Sequence, residues 1–103
     1  MAYCRALVPF RPSGCPGERL TPLLEGLGLQ VEHPDGRTLM ACERPCAGRP
    51  SQDDVRVWAD WSDLAATGEL WLETLSGESM GHSETRCSAV LETLRAGLSA
   101  GVE

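Results

Sequence analysis

Apolar residues recur along this chain with two periods. Cys87, Val90, Leu91, Leu94 and Leu98 repeat at i, i+3, i+4, i+7 and i+11, which draws one apolar stripe along a helix. This predicts an amphipathic helix from roughly Ser83 to Leu98. Ser83 is its expected N-cap, Glu84 lies in the first turn where the helix dipole favours negative charge, and Arg95 lies near the end where it favours positive charge. Leu20, Leu23, Leu24 and Leu27 predict a shorter helix by the same spacing. Proline has no N–H to donate inside a helix, so Pro22 is placed in the first turn, with Thr21 as N-cap and Gly26 or Gly28 at the end.

The remaining segments carry a period of two. A weak alternation over residues 4–10 predicts a first strand built on Ala6, Leu7, Val8 and Phe10, followed by a Pro/Ser/Gly loop. Leu29 to His33 and Arg37 to Glu43 flank the turn signal Pro34-Asp35-Gly36 and read as a hairpin. Arg44 to Asp54 is a loop. Val55, Val57, Ala59 and Trp61 then alternate with Arg56, Trp58 and Asp60, and Leu70 to Leu75 alternates again after a connection at Ser62 to Gly68. The order β-α-β-β-β-β-α predicts an α+β two-layer sandwich, a mostly antiparallel sheet of four or five strands with both helices on one face. A chain of 103 residues suits one such domain.

Composition adds a packed core to this picture, because 42% hydrophobic residues with 23% charged ones is far from the signature of disorder. Charge narrows the partners. The net charge is −6, and all nine cations are arginines scattered from Arg5 to Arg95, which disfavours direct contact with nucleic-acid phosphates. An acidic surface suits solubility and a basic groove on a protein partner. The apolar run at the N-terminus is too short for a signal peptide and no run approaches a membrane span, so a cytoplasmic protein without membrane contact is expected. Five cysteines in such a chain are expected as free thiols.

Candidate chemistry is sparse. Cys42-x-x-x-Cys46, with His33 and His82, lacks the second short-spaced ligand pair of a structural zinc site; no metal and no cofactor are expected, and Cys42 is read as a buried strand residue. Cys87 lies on the apolar stripe, so its neighbourhood with His82 reads as core and not as a nucleophilic pair. Strings of the His-Glu-x-x-His and Gly-x-x-x-x-Gly-Lys kind do not occur, and no catalytic residue is assigned, which points away from an enzyme.

The segment Phe10 to Leu27, FRPSGCPGERLTPLLEGL, places a Cys-Pro after a strand and before a leucine-rich helix, and in this it resembles the active-site region of the thioredoxins and glutaredoxins. The resemblance implies a thiol redox protein in which Cys15 is the attacking thiolate, its pKa lowered by the helix N-terminus. Glu18 stands where that family has its second cysteine. The stretch LSGESMGHSETR before the last helix resembles the final strand and helix of double-stranded-RNA-binding domains. Ser83, Glu84 and Thr85 occupy the positions of that family's phosphate-gripping lysines, so the RNA activity is not carried over.

Alternation gives the remaining signal. Trp58 and Trp61 must point to opposite faces of their strand, and Trp71 must oppose Leu70 and Leu72. A sheet face without helices should therefore display Trp58, Asp60, Trp71 and Glu73, indoles among carboxylates, as a contact surface for another protein with a basic site or for a second copy of the chain. An inhibitor or regulator, including the immunity and phage counter-defence types, is the expected class.

Overall fold

Alternation is strictest in β5 (Glu69–Ser76), where Leu70, Leu72, Thr74 and Ser76 are buried and Trp71, Glu73 and Leu75 are half-buried. The computed structural model describes residues 2–10, 16–44, 47–48, 54–77 and 85–100. In β4 (Arg56–Asp60) Val57 and Ala59 point inward, and in β3 (Thr38–Glu43) Leu39 and Ala41 do. With β1 (Ala2–Pro9) and β2 (Leu29–Asp35) these form one sheet in the order β1-β5-β4-β3-β2, every neighbouring pair antiparallel. A period of two makes one face apolar and leaves the other polar, which suits a sheet covered on a single side.

Two helices cover the apolar face. α1 (Pro16–Gly26) buries Leu20 and Leu24 against β2 and β3, and α3 (Arg86–Ala100) buries Cys87, Leu91, Leu94 and Leu98 against β1 and β5. They also touch each other: a Cβ on Gly97 would come 2.7 Å from Leu23 Cδ2, so the bare glycine allows their close approach. A single helical turn, α2 (Leu64–Thr67), links β4 to β5 and ends at Gly68, whose φ of 73° only glycine adopts without strain. The chain is thus an α+β protein with a five-stranded antiparallel sheet, as the pattern predicts, with α2 as the added element.

Several boundaries differ, each for a local reason. α1 begins at Pro16, five residues before the expected cap, because Pro16 and Gly17 are themselves buried and extend the packed face upstream. Pro16 takes the tolerated early position, while Pro22 lies inside the helix on its exposed side. Thr21 is not a cap; its Oγ1 donates to the Gly17 carbonyl at 2.7 Å. α3 is capped by Thr85: the Thr85 N–H donates to Ser88 Oγ and the Ser88 N–H to Thr85 Oγ1, both at 3.2 Å, a reciprocal box. The expected cap Ser83, with Glu84, lies outside the described residues. Because α3 continues to Ala100, Arg95 sits inside it and pairs with Glu92 at 3.2 Å instead of facing its end.

The hairpin turn is Gly36-Arg37, and β2 runs on through Pro34 to Asp35 after a register shift beyond Glu32. Pro34 in β2 and Pro9 in β1 are both on edge strands, where a missing N–H breaks no inner ladder. Cys42 is exposed, not buried, because the inward position beside it belongs to Ala41. Cys15, Cys46 and His82 lie outside the described residues.

The thioredoxin-like resemblance does not extend to the sheet. The two strands flanking α1, β1 and β2, are its opposite edges, and no parallel pair exists among the described strands.

Candidate functional site

The face of the sheet away from the helices is built by the outward positions of all five strands. On β4 and β5 these are Trp58 and Asp60, and Trp71 and Glu73. Register sets them in a square: Trp58 lies opposite Glu73, and Asp60 opposite Trp71. All four residues expected at a contact surface therefore come together at the centre of one face. Trp61, on the other face, is 9% exposed, with its Nε1 donating to the Gly36 carbonyl at 3.0 Å.

Flanking strands widen the surface. Across β5, Arg5 faces Glu73 and Leu7 faces Trp71; across β4, Met40 faces Trp58 and Cys42 faces Arg56. Tyr3, Leu7 and Met40 are 40%, 54% and 45% exposed, large apolar side chains left in solvent beside the two half-buried indoles. Two shallow grooves cross this face. One of about 590 Å³ runs between Met40, Arg56, Trp58 and Leu75; the other, of about 470 Å³, is lined by Leu7, Trp58 and Trp71 with Asp60, Asp63, Glu69 and Glu73. Four carboxylates line the second groove, with the Arg5 guanidinium beside it over Trp71.

The polar groups of the face are held in place. Glu73 Oε1 accepts a hydrogen bond from Trp71 Nε1 at 2.6 Å, which fixes the indole against the strand. Arg5 Cζ lies 5.9 Å from the centroid of the Trp71 ring, a cation–π contact from the neighbouring strand. Asp60 Oδ1 accepts from Ser62 N at 2.9 Å and from Ser62 Oγ at 2.7 Å, closing the turn after β4. Partial desolvation, with the Glu73 carboxylate adding to it, pushes the Tyr3 hydroxyl above its ordinary pKa, so Tyr3 stays a neutral donor. A preformed surface of this kind loses little side-chain entropy when covered.

Residues of β1 were not assigned to this face from the sequence. The period-two spacing of Tyr3, Arg5 and Leu7 is the signal, but Ala2, Cys4 and Ala6 are too small and mixed to mark the opposite side. Among the described residues no group of three or more His, Cys, Asp or Glu side chains is gathered as a metal site, and no helix is long and apolar enough to cross a membrane. Compared with protein-family models, curated proteins and solved structures, the chain matches none.

Proposed function

We propose that this chain is a small acidic protein-interaction module, an inhibitor or regulator that docks through its open sheet face onto a basic site of another protein. The observation that carries the reading is the square of Trp58, Asp60, Trp71 and Glu73, two indoles and two carboxylates on a face that α1 and α3 leave uncovered. Indoles supply large contact area at little entropic cost, and a contiguous exposed apolar patch with a charged rim marks an interaction site. The acidic groove and the net charge of −6 favour a partner of opposite sign. Occupation of a basic nucleic-acid-binding groove, in the manner of immunity and phage counter-defence proteins, is the narrower form of this proposal.

The test compares the chain with its Trp71→Ala and Asp60→Arg variants in affinity capture from the native host and in binding to the captured protein. Trp71→Ala should weaken binding by about 30-fold or more, the scale of a central aromatic anchor. Asp60→Arg should slow association, and added salt should slow association of the parent chain. Equal capture by all three, with circular dichroism unchanged, would refute the assignment. A doubled mass in light scattering that Trp71→Ala abolishes would instead assign the face to a second copy of the chain.

A further inference from the structure

On the helix-covered side, Cys4 of β1 and Cys87 in the first turn of α3 bring their sulfurs to 3.7 Å, across 83 positions of sequence. Cys87 is buried, while Cys4 is half-buried on the edge strand. The sulfurs do not sit in a purely apolar layer, as packing alone would have it. Thr85 Oγ1 lies 3.2 Å from Cys87 Sγ, and the fully buried Thr74 donates its hydroxyl to the Cys87 carbonyl at 2.9 Å. Burial by itself would push the Cys87 thiol up, but hydrogen bonds from Thr85, Ser76, Cys4 and Thr74 outweigh it and hold the thiol below its ordinary value. Burial raises the Cys4 thiol, and its contact with the Cys87 sulfur raises it further. The first proton to leave the pair therefore leaves Cys87, and Cys4 remains as the S–H donor.

We infer that Cys4 and Cys87 are an oxidisable dithiol, a modification site that a low-molecular-weight disulfide such as oxidised glutathione converts to an internal disulfide tying β1 to α3. The half-buried Cys4 is the point of entry. Its sulfur attacks one sulfur of the external disulfide and passes its proton to the Cys87 thiolate; the external S–S bond breaks and the first glutathione thiolate leaves, taking that proton. The freed Cys87 thiolate then attacks the Cys4 sulfur, forms the internal S–S bond and expels the second glutathione thiolate, which takes a proton from solvent. Two protein thiols and one external disulfide thus give one protein disulfide and two external thiols. Forming the S–S bond closes the two sulfurs from 3.7 Å to roughly 2.05 Å.

The experiment uses the full chain carrying Cys15→Ser, Cys42→Ser and Cys46→Ser, incubated in mixtures of oxidised and reduced glutathione, alkylated and digested with trypsin. The expected product is the peptide of residues 1–5 joined to that of residues 87–95, with a loss of two hydrogens in the intact mass. Because the bond closes a long loop, Tm should rise by about 5 °C or more and fall back on reduction. Adding Cys4→Ser should abolish the cross-link and the rise, and adding Cys87→Ser should stop the reaction at a glutathione adduct on Cys4. The inference fails if both thiols stay open to alkylation in every mixture, or if the adduct on Cys4 persists while Cys87 is intact. These readouts are independent of partner binding.

Discussion

Glu43 illustrates how one side chain can hold separate elements together. It closes β3, and its side chain is only 9% exposed. Oε1 accepts the Val55 N–H at 2.7 Å, and Oε2 pairs with the Arg86 guanidinium at the start of α3. This half-buried carboxylate is costly to lose, since the N–H of the fully buried Val55 then loses its acceptor. Glu43→Ala should destabilise the chain by about 1–3 kcal/mol in urea unfolding; no change would mean that water replaces the carboxylate. Nothing in the sequence announces this role, because Glu43, Val55 and Arg86 meet only once the sheet and α3 are assembled.

At the level of elements, local signals and packing disagree most in α1. Pro22 as a first-turn residue is sound local chemistry, yet the helix runs from Pro16 and carries Pro22 in its interior. Burial of Pro16, Gly17, Leu20 and Leu24 outweighs the lost hydrogen bond and the strain of the proline ring. Pro22 faces solvent, so its ring is not needed for packing. Pro22→Ala should therefore raise stability by about 1–3 kcal/mol, read as a higher Tm. A fall would mean that the proline is required for the path of the chain into Gly28, where φ of 86° turns it toward β2. α3 shows the opposite case, in which an unbroken stripe from Cys87 to Leu98 made the helix and its buried face legible, while the cap moved to Thr85 and the end to Ala100.

Across the whole molecule the two faces of the sheet have different energetic roles. Leu72, fully buried under the helices, should cost about 2–5 kcal/mol when cut to alanine. Trp71, its neighbour on the open face, should cost only about 1 kcal/mol or less in stability while removing most of the partner affinity. Equilibrium unfolding of Leu72→Ala and Trp71→Ala checks this separation. A Trp71 variant as unstable as the Leu72 variant would make the indole a core residue and remove the basis for a docking face.

The five strands, the two long helices and the outward placement of Trp58 and Trp71 followed from periodicity, whereas the single turn α2 did not. A strand side chain can only alternate and a helix stripe can only lie on one side, so the local pattern suffices. Strand order is another matter. That β1 pairs with β5 and not with β2 brings Tyr3, Arg5 and Leu7 beside Trp71, and it brings Cys4 within 3.7 Å of Cys87. Such contacts join residues distant in sequence, and their energy comes from burying the two helices on one assembled sheet, a quantity that no local window of sequence contains.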